Sequence, residues 1–188
     1  LLAKKNEYKN RSVVSTPVEI VKYMVKNTLD PICKGKSPKD IAELRIADIA
    51  CGSGVFLEEA YQFIIDYCEK WYLENNPDYL LEMENGKKKL PIVDKHEILK
   101  KCIYGVDIDI HAVVSKFSLL LKLLENETEP SVKEVAPILP NLDENILSGN
   151  SLISDKDVEN IGMICGGDVT AFFQYLDHND PIIMEITE

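Results

Sequence analysis

A turn of small residues stands between an apolar run and a helical pattern near residue 50. In RIADIACGSGVFLEEA, residues 45–60, the apolar run stops at Asp48, and Gly52 and Gly54 follow closely. Glycine can adopt positive φ and lets the backbone approach a ligand. A helix that begins beside the turn points its free N–H groups and its positive end in the same direction. Such a turn suits a carboxylate or a phosphate.

Two common phosphate-binding turns do not fit these residues. The dinucleotide fingerprint requires a third glycine where Leu57 stands, and the phosphate loop requires a lysine directly after its last glycine, whereas none follows Gly54. The acid before the turn, Asp48, would repel a pyrophosphate but could attract an ammonium. A ligand with both groups is an amino acid, such as the methionine half of S-adenosylmethionine. A tight turn that binds nothing is the alternative.

The elements around this turn alternate between strand and helix, which predicts an α/β fold with a parallel sheet and helices on both faces. Thr16 and Glu19 form a capping box at the first helix, with Pro17 at its first helical position. Right-handed crossovers bring the carboxyl ends of the strands to one edge, where ligands bind. The predicted elements are helices 16–29, 55–74 and 111–125 and strands 45–50, 102–109 and 145–153.

Two polar residues follow the second and third predicted strands. Asp107 can accept hydrogen bonds from two ribose hydroxyls, and because Asp109 can cap the next helix, Asp107 is left for the ligand. The usual spacing of about 20 residues from glycine turn to acid is exceeded, so a polar insertion is predicted at 75–97. Asn150 can bind an adenine edge with its amide, or it can be an ordinary turn asparagine.

Composition limits the remaining possibilities. The chain suits one domain, 1–188, with a loose start at 1–14 and an irregular tail at 154–188. Its net charge of −11 disfavours contacts with the phosphates of nucleic acid, so any DNA contact is expected to come from regions outside this chain. The sequence contains no apolar run long enough to predict a membrane-spanning helix. The five cysteines contain no CxxC pair and no metal-ligand spacing, which predicts reduced thiols in the cytoplasm and no metal site.

Four segments together resemble the amino-terminal, cofactor-binding half of adenine-specific DNA methyltransferases, above all the large restriction-modification proteins that fuse cleavage and methylation. The segments, which span residues 12–154, are STPVEIVKYMV, DIACGSGVFL, YGVDIDIHAV and LSGNSLI. The resemblance implies a partial Rossmann-like fold that binds S-adenosylmethionine. The implied cofactor-binding residues are Thr16, Pro17, Asp48, Ala50, Cys51, Gly52, Ser53, Gly54, Asp107, Ile108, Asn150 and Ser151.

The resemblance also implies a role for each of these residues. Thr16 and Pro17 would line the methionine end, Asp48 would face its ammonium, and residues 50–54 would wrap around it.

At the other end of the cofactor, Asp107 would bind the ribose and Ile108 would lie against the adenine. Asn150 would hold the adenine amino group with Ser151 beside it. Ile49 stands where many relatives have proline, and Asn150 stands where many have aspartate.

The catalytic motif that the resemblance implies, Asn-Pro-Pro followed by an aromatic residue, is absent after Asn150. The string NPDY at 76–79 lacks the second proline and follows the long helix, so it is predicted to end that helix at the wrong end of the sheet. The chain is therefore expected to be part of a longer DNA adenine methyltransferase and to be inactive alone. Two alternatives are a non-catalytic methyltransferase-like binding subunit and a small-molecule or protein methyltransferase.

The first predicted strand, RIADIA, is expected to be short and buried, and it would lie in the middle of the sheet of a complete methyltransferase. With its outer neighbour missing, its edge would invite pairing with another chain. Either the terminal segment PIIMEI, residues 181–186, covers this edge or two copies associate. Self-association is the favoured prediction.

Overall fold

A computed structural model of the chain describes residues 16–83, 86–107, 111–133, 137–149 and 151. The helices are α1 (Val18–Cys33), α2 (Pro38–Ile41), α3 (Val55–Asn75), α4 (Ile92–Cys102), α5 (His111–Leu124) and α6 (Glu129–Val132). The strands are β1 (Ile46–Asp48), β2 (Leu81–Glu82), β3 (Lys88–Lys89), β4 (Ile103–Asp107) and β5 (Ile146–Ser148). None of the helices in these ranges is long and apolar enough to cross a membrane. The segment PIIMEI lies outside the described residues.

The main sheet has three parallel strands in the order β1-β4-β5. Asp48 at the end of β1 lies opposite Gly105, and Asp107 at the end of β4 lies opposite Ser148 of β5. All three carboxyl ends therefore meet at one edge. The prediction of an α/β fold compatible with a partial Rossmann-like methyltransferase sheet is confirmed.

Helix α1 begins differently from the prediction. Pro17 occupies the N-cap position without a side-chain cap hydrogen bond, so the capping box assigned to Thr16 and Glu19, with Pro17 at the first helical position, is wrong. The helix also continues past residue 29 and contains Pro31. A proline in the last turn removes only one helix hydrogen bond, and burial of every fourth side chain against α3 outweighs that loss. The buried residues are Val21, Val25, Leu29 and Cys33.

A capping box does occur, in the connector that follows α1. The Ser37 hydroxyl accepts from the Asp40 N–H at 3.4 Å, and the Asp40 carboxylate accepts from the Ser37 N–H at 2.9 Å, around the short helix α2. Two backbone donors at the helix start are thereby satisfied, which explains why four residues with a proline can hold a helical turn.

The segment 75–97, predicted as a polar insertion, holds a short antiparallel hairpin of β2 and β3 and the first half of α4. A buried charge cluster anchors it to the segment after α5, at Glu127 and Ser131. Lys89 and Lys95 each donate to one carboxylate oxygen of Glu127 at 2.6 Å, and Ser131 donates to the same group at 2.7 Å. Burial raises the pKa of Glu127, but these hydrogen bonds outweigh it and hold the pKa below its usual value.

The two faces of the main sheet differ in exposure. Ile103, Gly105 and Ile146 are buried, and a Cβ added to Gly105 would lie 2.7 Å from Leu57 Cδ1 of α3, so this face packs against helices. The register and the alternation of side chains put four other residues on the opposite face. These residues are Ala47, Tyr104, Val106 and Leu147. Ala47 and Leu147 are exposed, and the other two are half-buried. The prediction that β1 is a buried strand is therefore wrong.

In the part of the chain that the structure describes, β1 pairs only with β4. An edge strand beside an apolar face favours pairing with another chain, and lysine at an edge opposes it. We therefore predict that the isolated chain self-associates at micromolar concentration and that Ala47→Lys shifts it towards the monomer. Sedimentation velocity over a concentration series measures both.

Leu121→Lys provides the matched control, because Leu121 is an exposed apolar residue of α5, outside the sheet. A sharply monomeric wild-type chain would contradict the prediction. An equal effect of the two lysine variants would show that added charge alone opposes association.

Candidate functional site

The glycine turn between β1 and α3 has the backbone geometry that the sequence predicts. Gly52 and Gly54 have φ of +54° and +87°, in the left-handed region that favours glycine. The Gly54 N–H donates to the Cys51 carbonyl at 2.8 Å and closes the turn. Helix α3 begins at the next residue, with Gly54 as its N-cap. The first N–H groups of α3 therefore face the edge where the strands end.

Asp107 joins the end of β4 to this turn. Its Oδ2 accepts a hydrogen bond from the Gly52 N–H at 2.8 Å. The Cys51 N–H also donates to the Val106 carbonyl at 2.9 Å and extends the parallel pairing past the end of β1. The structure thus brings together the glycine turn and the predicted acid. Because a carboxylate oxygen has more than one acceptor site, Asp107 can bind this amide and still accept from a ligand.

Asp48 lies before the turn and binds its own backbone. Its Oδ1 accepts from the Ala50 N–H at 3.1 Å, and the side chain is half-buried, whereas Ile49 and Ala50 are exposed. This Asx-type bond fixes the carboxylate near the start of the turn. The predicted contact with an ammonium stays a prediction.

The exit of β5 reaches the same edge. The Gly149 N–H donates to the Asp107 carbonyl at 2.7 Å, and the Ser151 hydroxyl donates to the Ile49 carbonyl at 2.8 Å. Since β4 lies between β1 and β5, the chain after β5 crosses the end of β4 towards β1. Ile108 and Asn150, assigned to the adenine, lie outside the described residues.

Thr16 and Pro17 stand at the start of α1, the first half-buried and the second exposed. The other end of α1 is tied to α3, because the Tyr67 hydroxyl donates to the Cys33 carbonyl at 2.5 Å. The assignment of Thr16 and Pro17 to the methionine end stays a prediction.

Two residues that the sequence reasoning missed support the turn from behind. Gly105 lets α3 and Cys51 approach β4, since a Cβ there would lie 3.1 Å from the Cys51 Sγ. Ser115, fully buried in α5, donates to the Gly52 carbonyl at 2.7 Å. Both left a signal in the sequence: a glycine inside a strand marks a close approach, and a polar residue on an apolar helix face needs a partner.

Cys51 is the one thiol of the turn, and the site holds it protonated. Burial raises the pKa of Cys51 to about 11; the hydrogen bond with Ser115 opposes this, and the carboxylates of Asp107 and Asp48 raise it further. The two acids thus act on the same atom from different strands. A protonated thiol is a poor nucleophile, so Cys51 fills space beside the turn. Within the described ranges no group of three His, Cys, Asp or Glu residues could hold a metal ion.

The two glycines of the turn should respond differently to substitution. A Cβ on Gly52 would have nothing within 4 Å, whereas a Cβ on Gly54 would lie 2.8 Å from Ser115 Oγ and 3.1 Å from Ser115 Cα. We predict that Gly52→Ala costs only the left-handed backbone penalty of about 1–2 kcal/mol. Gly54→Ala adds overpacking of about 1–3 kcal/mol. Urea unfolding measures both, and an equal loss in the two variants would contradict the packing argument.

Cys51 should resist alkylation in the folded chain. A pKa of about 11 leaves little thiolate at neutral pH, so we predict labelling by iodoacetamide near pH 7.5 at least about tenfold slower than in the urea-unfolded chain. The rate should rise as the pH approaches 11. Peptide mapping by mass spectrometry measures the modification at Cys51 itself. Equal rates in the folded and unfolded chains would contradict the assignment.

Comparison with known proteins gives two relatives. The "Type II restriction enzyme and methyltransferase RM.Eco57I" of Escherichia coli is 49% identical over 154 residues, which cover 81% of this chain and 15% of the relative. The "Putative type II restriction enzyme and methyltransferase RM.MjaORFECS2P" of Methanocaldococcus jannaschii is 30% identical over 193 residues, with the same two coverages. The chain matches no protein-family model.

The match spans most of this chain but only a small part of either relative. Both printed names join a restriction enzyme to a methyltransferase, which is the class of fused protein that the four sequence segments resemble. The resemblance is therefore confirmed: the chain is homologous to a segment of the type II restriction enzyme and methyltransferase proteins. This segment makes up 15% of the length of each relative.

Proposed function

We propose that this chain is the S-adenosylmethionine-binding part of a site-specific DNA adenine methyltransferase of a restriction-modification system. The observation that carries the proposal is the 2.8 Å hydrogen bond from the Gly52 N–H to the Asp107 carboxylate. It places a glycine turn, a helix N-terminus and a strand-end acid at one sheet edge. The two relatives support the restriction-modification context over a small-molecule or protein methyltransferase.

The residues at this edge fit a ligand with an amino-acid end and a ribose. The side of Gly52 where a Cβ would point is open for 4 Å, so a ligand can lie against the backbone there. The carboxylates of Asp48 and Asp107 suit an ammonium and hydroxyl donors respectively, and the start of α3 suits a carboxylate. Residues 50–54 would wrap the methionine end, with Thr16 and Pro17 beside it.

At the adenosine end, Asp107 would accept from the ribose hydroxyls and Ile108 would lie against the adenine. Asn150 would bind the adenine amino group, and Ser151 would lie beside it. The bond from Ser151 to the Ile49 carbonyl supports this arrangement, because it carries the end of β5 across the site.

When bound, S-adenosylmethionine supplies a methyl group on a sulfonium, which the parent protein would transfer to the adenine 6-amino group by direct displacement. The residues of this chain bind and orient the cofactor. The groups that would grip a flipped adenine are missing from its sequence, which lacks the Asn-Pro-Pro-aromatic motif. The string NPDY forms the cap and short turn after α3, 21 residues from the glycine turn and so about 30 Å away at 1.5 Å per residue.

DNA contact is proposed for regions of the parent outside this chain. A net charge of −11 opposes binding to phosphates, since such contacts need lysine and arginine. The isolated chain would therefore bind the cofactor without holding the substrate.

Removing the Asp107 carboxylate should weaken binding of S-adenosylmethionine. A hydrogen bond to a charged group is worth about 1.5–3 kcal/mol, which corresponds to about a 10- to 100-fold loss of affinity in Asp107→Ala. The substitution also removes the acceptor of the Gly52 N–H, and this adds to the loss. Titration calorimetry with S-adenosylmethionine and with its demethylated product measures the effect.

The control is Asp78→Ala, which removes an exposed carboxylate from the turn after α3. It should bind as the wild type does. An unchanged affinity of Asp107→Ala would refute the ribose assignment, and a wild-type chain that binds neither ligand would refute the cofactor proposal itself.

The isolated chain should not methylate DNA even with the cofactor bound. Labelled methyl transfer to adenine-containing DNA is expected to stay at background, because the chain has no motif for the flipped base. A full-length fused relative assayed in parallel provides the positive control. Clear turnover would contradict the argument that the catalytic motif is absent and would make Asn76, in the NPDY string, a catalytic candidate again.

A further inference from the structure

Hydrogen bonds with β4 and α5 hold Gly52 on both sides of its Cα. Its N–H donates to Asp107 Oδ2 at 2.8 Å, at the end of β4. Its carbonyl accepts from the Ser115 hydroxyl at 2.7 Å, from the middle of α5. The two bonds restrain the two peptide groups that flank Gly52. Since glycine has more backbone freedom than any other residue, such restraints decide which way these peptides point.

Ser115 is built into the fold rather than attached to its surface. Its side chain is fully buried, on a helix whose other buried residues are mainly apolar. Its approach depends on Gly54, because a Cβ on that residue would lie 2.8 Å from the Ser115 Oγ. The Oγ also lies 3.8 Å from the Cys51 sulfur. Ser115 therefore lies against three residues of the turn, Cys51, Gly52 and Gly54, and the turn cannot shift towards α5.

Loss of the Ser115 hydroxyl would leave the Gly52 carbonyl without this donor in a half-buried position. The Gly52 backbone could then rotate, and rotation would turn its N–H away from Asp107. Asp107 would lose the charge-assisted bond that fixes one of its oxygens. A carboxylate with one restraint fewer presents its other acceptor sites to a ligand in the right direction for less of the time.

We propose that Ser115 is a positioning residue for cofactor binding: by holding the Gly52 carbonyl it fixes the glycine turn and, through the Gly52 N–H, the Asp107 carboxylate. This role rests on the proposed function. Helix α5 lies behind the sheet edge. Through Ser115 it would set the direction in which Asp107 accepts hydrogen bonds from its ligand.

The test compares two serines of the same helix. Ser115→Ala removes the bond to Gly52, and Ser118→Ala removes a bond from α5 to Glu58 at the start of α3. Titration calorimetry with S-adenosylmethionine should show about a tenfold loss of affinity for Ser115→Ala, equivalent to about 1.4 kcal/mol. Ser118→Ala should stay within about twofold of the wild type. Thermal melts of both variants show whether each chain is folded at the titration temperature.

A spectroscopic signature tests the link to Asp107 without a ligand. In a chain with ¹⁵N-labelled glycine, the Gly52 amide resonance reports on the hydrogen bond that this amide donates to the Asp107 carboxylate. In Ser115→Ala this resonance should move, whereas in Ser118→Ala it should stay in place.

Three results would overturn the proposal. One is a Ser115→Ala chain that binds as tightly as the wild type, and another is equal loss in the two serine variants. The third is a Gly52 resonance that Ser115→Ala leaves in place. If the wild-type chain bound no S-adenosylmethionine, the proposed function would fall and the role of Ser115 with it. Wild-type binding with an unaffected Ser115→Ala would overturn the role of Ser115 alone.

Discussion

The hydrogen bond from the Gly52 N–H to Asp107 is the contact on which the rest of the candidate site depends. It joins residues 55 positions apart in the sequence and holds the turn after β1 against the end of β4. It requires Gly52 in the left-handed region, since the turn would otherwise point this amide elsewhere, and it requires parallel pairing of β1 with β4 to bring the two ends together. A charge-assisted bond of this kind is stronger than one between neutral groups. The geometry of the edge therefore follows from the packing behind it.

That packing carries an electrostatic consequence. Asp48 and Asp107 both raise the pKa of the buried Cys51 thiol, which means that two negative charges act on the same small volume. Two carboxylates near each other need hydrogen-bond donors, and the structure supplies backbone N–H groups from Ala50 and Gly52. An ammonium or a pair of hydroxyl donors would offset the negative charge of the two carboxylates, whereas a phosphate would add to the repulsion.

Much of this arrangement could be predicted from the sequence, and the exceptions have physical reasons. The glycine turn, the strand-end acid and α3 are encoded by local chemistry, so they were predicted close to their observed positions. The start of α1 was not, because Thr16 matches the capping-box pattern equally well whether or not its side chain bonds to the helix; the box instead occurs at Ser37 and Asp40. The exposure of β1 was also missed, since a run of apolar residues does not show how many neighbours the strand has. The sequence marks Ser115 as a polar residue on an apolar helix face, but this pattern does not identify the Gly52 carbonyl as its partner.

The same sheet explains how the candidate site can form among residues of this chain. The described contacts that shape the candidate site come from β1, β4, the exit of β5 and the helices packed on one face, and those contacts form among residues of this chain. The opposite face, with Ala47 and Leu147, is exposed and contributes none of them. Binding of a small ligand at this edge would thus depend on contacts on the packed side of the sheet. A change on the exposed face should alter association without altering the turn, because no described hydrogen bond of the turn passes through it.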